Sequence, residues 1–154
     1  YRSSWPYALD RLMAKKEMVD WLRGGCLLLA DRYTGSNMAY QSAGFDSDEK
    51  KRFVNWLVEM EYNVHLLPKE DLVIYLNIPV KKALHLQNKR GANDRDILEE
   101  DVKFFKRIVK SYQWVTDYFD HWEKIDCLGE NGELLTKKEI NQKIVNLLKD
   151  KEII

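Results

Sequence analysis

Residues 27–41, LLLADRYTGSNMAYQ, decide how the chain is read. Three leucines and an alanine run straight into Asp31, Arg32 and Tyr33. A short polar step follows, and Asn37, Tyr40 and Gln41 then recur at helical spacing. The apolar run, with Cys26 in front of it, is too short and too uniformly apolar for an amphipathic helix. Residues 26–31 therefore read as a strand buried on both faces, the habit of a parallel sheet. Ligands of such sheets gather beyond the carboxyl ends of the strands, where Asp31 and Arg32 stand. An acid there suits Mg²⁺, and an arginine beside it can grip phosphate oxygens as a fork. A strand-end salt bridge accounts for the same two residues, and taken alone the pair leaves both readings open.

The flanks supply the rest of the pattern. Residues 6–23 predict a helix with an apolar stripe of Leu9, Leu12, Met13, Val19 and Leu22, stopped by Gly24 and Gly25. Residues 48–64 predict a second, with Phe53, Leu57, Met60 and Val64 in register. A turn at Leu67, Pro68 and Lys69 leads into DLVIYLNIP (71–79), a buried strand ending near Asn77. A helix over 80–90 and the polar loop GANDRD (91–96) come next. Val102, Phe105, Ile108, Tyr112, Val115 and Phe119 then mark the clearest helix. A third strand near WEKIDCL (122–128) ends at the turn of Asn131 and Gly132. Thr136, with Glu139 three residues on, forms a capping box for the last helix, which turns Ile140, Ile144 and Leu147 inward. Strands alternating with helices argue for an α/β fold with a parallel sheet.

The chain's 154 residues suit one compact domain, and 45% apolar with 32% charged residues is the composition of a soluble globular protein. Equal numbers of basic and acidic residues, 25 each, leave no global field to select nucleic acid or an anionic membrane, so any anion site is local. Cys26 and Cys127 show no paired spacing and read as buried free thiols in a reducing compartment. No apolar run is long enough to span a membrane, and the first residues do not resemble a signal peptide. The cytoplasm is the expected location. His65, His85 and His121 lack ligand-like spacing and read as structural. The charges over 46–52 read as a solvated helix start.

Two further sets point to a ligand. Asn37, Tyr40 and Gln41 lie three and four residues apart, so a helix presents them on one side. An amide, a phenol and an amide suit a sugar and a base, although a water-facing helix surface has the same look. Tyr7 and Arg11 are one helical turn apart, about 5.4 Å. A ring there can stack on a base while the guanidinium takes a phosphate, and packing beside a solvated charge fits equally.

In combination these pieces become specific. YALDR (7–11), DRYTGSNMAYQ (31–41), LPKEDLVIYLNIP (67–79), KRG (89–91) and RDILEED (95–101) occur in the order and spacing of thymidylate kinases. The closing WEKIDC with its capped helix fits as well, so the chain resembles that family over nearly its whole length. The resemblance implies a three-layer α/β/α P-loop kinase fold with a parallel sheet. It also implies a single domain over 1–154 that corresponds to the C-terminal two-thirds to three-quarters of it. The implied activity is transfer of the γ-phosphate of ATP to dTMP, giving dTDP, with Mg²⁺ as cofactor. By resemblance Tyr7 stacks on thymine, Arg11 binds the dTMP phosphate, and Asn37 and Gln41 line the thymidine pocket. Tyr40 lies against the sugar and disfavours a 2′-hydroxyl. Asp31 is the acid near Mg²⁺, directly or through water, and Arg32 bridges the acceptor phosphate and the group in flight. The loop at 89–96 resembles a lid over ATP, with Arg90 and Arg95 neutralising the transferred phosphoryl group. The family also commonly dimerises, and the helix at 48–64, with Trp56 and Tyr62, is an expected surface for a second copy.

One family feature has no counterpart in these residues, the G-x-x-x-x-G-K-[ST] loop that cradles ATP phosphates. The expectation is that the molecule carries this loop and its strand outside the sequence in hand, because that strand lies mid-sheet in the family. The alternatives are a non-catalytic nucleotide-binding module and a related deoxynucleotide kinase.

Overall fold

The computed structural model describes the backbone of residues 1–90 and 99–154, and the side chains of 1–86 and 102–154. The chain divides into two compact units, Tyr1–Asp71 with Lys110–Val115, and Leu72–Val109 with Thr116–Ile154.

The first unit is helical among its described residues. A 3₁₀ turn, Arg2–Ser4, leads into α1, Trp5–Arg23, which has Pro6 in its first turn. Gly24 and Gly25 end α1 as read from sequence, Gly25 with φ +77°. The buried side of α1 differs from the apolar stripe. Ala8 and Met18 are buried with Arg11, Leu12, Lys15 and Val19 half-buried, while Leu9, Met13 and Leu22 are exposed. Polar bonds decide the orientation. Arg11 pairs with Glu61, and Lys15 Nζ donates to the His65 carbonyl at 2.8 Å.

α2, Thr34–Gln41, is followed by α3, Ser47–Val58. Asp46 caps α3 by accepting from the Glu49 amide at 2.8 Å, with Asp48 and Glu49 in the first turn. Phe53, Val54 and Leu57 form its buried stripe, and Tyr1, Phe45 and Trp56 set their rings 5.0 to 5.9 Å apart around Phe53. A π-helical turn, Glu59–Val64, continues α3, with the His65 amide donating to the Met60 carbonyl five residues back. That wider turn breaks the helical register, so Val64 is exposed although its spacing predicts burial. Trp56 and Tyr62 are likewise engaged within the unit, Trp56 with Tyr1, Trp5 and Phe53, and Tyr62 with Thr34 and Glu70.

Residues 26–31 depart most from expectation. They form no strand, Cys26 is exposed, and Leu27 and Leu29 are 66% and 91% exposed. A strand persists only where a neighbour takes up its backbone N–H and C=O groups. Among the described residues no strand pairs with this one. The composition is that of an interior strand without its ladder.

The second unit carries the sheet. β1, Val73–Asn77, pairs in parallel with β2, Trp122–Asp126, in the register Val73 to Trp122 through Asn77 to Asp126. The connection contains α4, Val80–Arg90, and α5, Glu99–Tyr118, consistent with the crossover a parallel pair requires. α5 contributes Lys110–Val115 to the first unit. After β2 comes a turn in which Gly132 takes φ +73°, then α6, Lys137–Asp150. The Thr136 and Glu139 capping box is formed as read: the Glu139 carboxylate accepts from the Thr136 amide at 2.7 Å, and the Glu139 amide donates to the Thr136 hydroxyl at 3.3 Å. Leu84, Ile108, Trp122, Ile125 and Cys127 are buried, whereas Ile140, Ile144 and Leu147 are only half-buried. The parallel α/β class read from the alternation of elements is the one observed.

Candidate active site

Seven of the residues singled out in the sequence fall in the first unit, and five of them, Arg11, Asp31, Arg32, Asn37 and Tyr40, lie in or next to two arginine centres. The first is built on Arg32, at the end of the run 26–31. Arg32 is exposed and adopts φ +70°, a conformation that L-residues other than Asn, Asp and His rarely take. Its guanidinium lies 4.8 Å from the centre of the Tyr40 ring, and its Nε donates to the Ser36 hydroxyl at 3.2 Å. The Ser36 hydroxyl in turn lies 3.1 Å from the Tyr112 hydroxyl, and the rings of Tyr112 and Tyr40 meet edge to face. Asp31, next in the chain, is exposed. The α2 helix makes this cluster possible, since Ser36 and Tyr40 are one turn apart on it.

The second centre is buried. Arg11 donates from Nε and Nη2 to the two carboxylate oxygens of Glu61, at 2.6 and 2.5 Å, a bidentate fork. Glu61 is fully buried, and Arg11 is 13% exposed. Asn37, also buried, donates from Nδ2 to the Ser4 carbonyl at 3.1 Å and to Glu61 at 3.4 Å. Its Oδ1 has no hydrogen-bond partner among the described residues. Tyr33 lies with its ring 5.8 Å from the Arg11 guanidinium and its hydroxyl donating to the Pro68 carbonyl. Tyr7, one turn before Arg11 on α1, is exposed.

Thr34 and Tyr62 each donate to the Glu70 carboxylate, and their hydroxyls touch. Burial, reinforced by the Glu70 and Glu61 charges and opposed by Arg11, pushes the Tyr33 phenol up to about 12. Burial first, and Glu70 second, drives the Tyr62 phenol well above its usual range. Burial also raises the Tyr112 phenol against the lowering influence of Ser36 and Arg32. All three phenols are neutral donors at physiological pH.

The grouping differs from the one-faced set expected of α2. Asn37 points to Glu61, Gln41 accepts from the Ser3 hydroxyl at 2.5 Å, and Tyr40 belongs to the Arg32 cluster. Glu61, Ser36 and Tyr112 were missed. Glu61 carried a readable signal, as an acid four residues after Leu57 in the buried stripe of α3. Tyr112 sat unnoticed in the apolar stripe of α5. The side chains of Arg90 and Arg95, and the lid-like loop, lie outside the described residues. Among the described residues no three His, Cys, Asp or Glu side chains cluster as a metal site. Mg²⁺ binds through one or two carboxylates, with waters and substrate phosphates completing its shell. The single exposed carboxylate of Asp31 fits that mode.

The parallel strand pair with its connecting helices defines an α/β protein, the class expected from the sequence. Comparison with known proteins narrows it. A profile of the family described as thymidylate kinase matches residues 5–151. The chain is 34% identical to the probable thymidylate kinase of Staphylothermus marinus over 118 residues, 76% of this chain and 54% of that protein. It is 30% identical to the probable thymidylate kinase of Picrophilus torridus over 132 residues, 83% of this chain and 61% of that one. Against the thymidylate kinase of Mesomycoplasma hyopneumoniae the identity is 29% over 126 residues, 77% of this chain and 56% of the relative. The chain belongs to the thymidylate kinase family, whose fold is the P-loop α/β fold. It spans little more than half the length of these curated relatives.

Proposed function

We propose that the protein transfers the γ-phosphate of ATP to dTMP, giving dTDP and ADP. The observation that carries this reading is Arg32, a solvent-facing guanidinium held at a positive φ and propped on Tyr40 and Ser36 beside an exposed acid. Backbone strain of this kind costs on the order of 1–2 kcal/mol, persists where the surrounding structure over-determines it, and clusters at active sites. Phosphoryl transfer asks little covalent chemistry of a protein. It asks that two mutually repelling polyanions be aligned and neutralised. Arg32 supplies the positive charge for the acceptor phosphate and for the group in flight. Mg²⁺, held through Asp31 and substrate phosphates, would neutralise further charge on the reacting oxygens. Arg90 and Arg95 are proposed to neutralise charge on the transferred group.

Tyr7 offers an exposed ring for stacking on the base, Tyr40 lies against the sugar, and Gln41 lines the nucleoside pocket. Arg11 takes a different part from the phosphate contact expected of it. Two of its donors are committed to a buried carboxylate, and the pair is neutral overall, a poor match for a dianion. Its remaining N–H groups suit a neutral carbonyl at the base. With Asn37 Oδ1 it offers one donor and one acceptor, the complement of the N–H and C=O edge of thymine.

The protein is further proposed to act in the cytoplasm and to pair with a second copy. No described helix is long and apolar enough to cross a membrane. Trp5, Leu9 and Met13 are exposed at four-residue spacing on α1, a stripe of the kind that marks an interface. Sedimentation velocity checks the pairing, which a monomer at micromolar concentration excludes. The activity is tested by ADP release from Mg-ATP against dTMP, dUMP, dCMP, dAMP and thymidine. Preference for dTMP is expected, and a preference for dCMP, dAMP or the unphosphorylated nucleoside defeats the reading. Tight dTMP binding without phosphoryl transfer would assign the protein to nucleotide binding alone.

A further inference from the structure

Asn37 raises a question that its own contacts answer. An asparagine amide has a donor end and an acceptor end, and packing alone tolerates either orientation. Here both neighbours of the amide nitrogen are pure acceptors, the Ser4 carbonyl at 3.1 Å and the Glu61 carboxylate at 3.4 Å. Rotating the amide would set its oxygen against both. Glu61, together with the Ser4 carbonyl, therefore holds the NH₂ inward, and Oδ1 is left without a partner among the described residues, in a residue only 4% exposed. An unmet buried acceptor costs about 1–3 kcal/mol, so the site is poised for a donor that arrives with a ligand. The same carboxylate fixes the Arg11 guanidinium through two bonds, which sets the direction of its remaining N–H groups. One buried acid thus governs the polarity of an acceptor and the aim of a donor.

We propose that Glu61 is a positioning residue for base selection. It acts through Asn37 and Arg11, without touching the nucleotide, and makes the site prefer a base that presents N–H beside C=O, as thymine and uracil do. Cytosine presents a bare nitrogen beside an NH₂ and would meet acceptor with acceptor and donor with donor. The inference rests on the proposed placement of the base at Arg11 and Asn37.

The test uses isothermal titration of the full chain with dTMP, dUMP and dCMP. Wild-type protein should bind dTMP and dUMP well ahead of dCMP. Failure of dTMP to bind the wild type would defeat the proposed function itself. Glu61→Gln keeps the shape but gives Asn37 a donor as well as an acceptor to face. It should weaken dTMP and dUMP together by about tenfold or more and shrink their advantage over dCMP by a similar factor, in line with sites built around polar pairing. A merely structural role would weaken all three ligands alike and leave the ratio unchanged, and that result overturns the inference while sparing the function. A measurement on the wild type covers the case in which Glu61→Gln does not fold. The Asn37 side-chain NH₂ should resist hydrogen exchange by at least tenfold relative to exposed amides, with and without dTMP. Exchange at the rate of exposed amides would equally overturn the inference.

Discussion

Two arginines in one unit are handled in opposite ways. Arg11 is buried, held by both oxygens of a fully buried carboxylate, and carries an unexceptional helical backbone. Arg32 is exposed, strained at φ +70°, and held by a ring and a hydroxyl, with no ion pair to a described residue. The first arrangement fixes a donor in place and cancels its charge. The second keeps a full positive charge available to an incoming anion and holds it with contacts weak enough to yield. A nucleotide kinase needs both, a rigid reader for a neutral base and a free cation for phosphate. The contrast also bears on folding: removing the first cation should harm the fold, and removing the second should harm the reaction.

The largest expected effect follows from the buried pair. Arg11→Met leaves the Glu61 carboxylate buried without its cation, and breaking such a pair costs about 3–5 kcal/mol. Urea unfolding at pH 7 measures it. A loss below about 1 kcal/mol would mean that Glu61 reaches water, and the distinction between the two centres would fail. Arg32→Ala should leave stability within about 0.5 kcal/mol, as surface changes do. It should lower kcat by about 10²- to 10³-fold, the scale for removing a charge-stabilising donor. Normal turnover in that variant would show that the strain at Arg32 serves something other than phosphoryl transfer.

The sequence announced the Arg32 centre more readily than the Arg11 centre. Asp31, Arg32 and Tyr40 are local, within ten residues, and their chemistry is legible in order. Arg11, Asn37 and Glu61 come from three helices, with Arg11 and Glu61 fifty residues apart, and no spacing rule joins them. Only the misplaced charge of Glu61 in an apolar stripe hinted at the pair. The π-helical turn that follows α3 is likewise invisible to a 3.6-residue period, which is why Val64 was placed on the wrong side. Strands β1 and β2 and the cap on α6 were readable because each rests on a short run or a single side-chain pair. Residues 26–31 were misread because strand composition is local, whereas a ladder needs a neighbour.

A third cation, buried like Arg11, sharpens the comparison. Lys50 is only 7% exposed, yet its described contacts are the Ser111 hydroxyl at 3.0 Å and the Trp114 ring at 5.8 Å, with no carboxylate. Burial lowers its ammonium below the usual 10.5. Below that depressed value both folded and unfolded states hold the proton, and the full cost of burying the charge is present. Between it and 10.5 the folded state sheds the proton first, so the unfolded state binds more protons and stability rises with pH. Lys50→Met should abolish that slope and add about 1 kcal/mol at pH 7, as apolar replacement of buried charge often does. The titration is read below pH 10, because the raised phenols of Tyr33, Tyr62 and Tyr112 make stability fall above it. A Lys50→Met variant less stable than wild type at pH 7 would show that the ammonium is as well compensated as Arg11.

The smallest effect separates strain that serves a site from strain that does not. Leu66 shares the left-handed backbone of Arg32, with φ +53°, and is 62% exposed beyond the π-helical turn. Leucine pays a steric cost there that glycine avoids, about 1–2 kcal/mol, while glycine loses about 0.5–1 kcal/mol more chain entropy on folding. Leu66→Gly should therefore stabilise the protein by about 0.5 kcal/mol and leave kcat unchanged. Arg32→Gly should bring a similar gain in stability together with the loss of turnover expected of Arg32→Ala. Paired melting and turnover measurements on the two variants isolate the guanidinium from the backbone that carries it. Equal loss of turnover in both would place the function in the loop conformation, and not in the charge of Arg32.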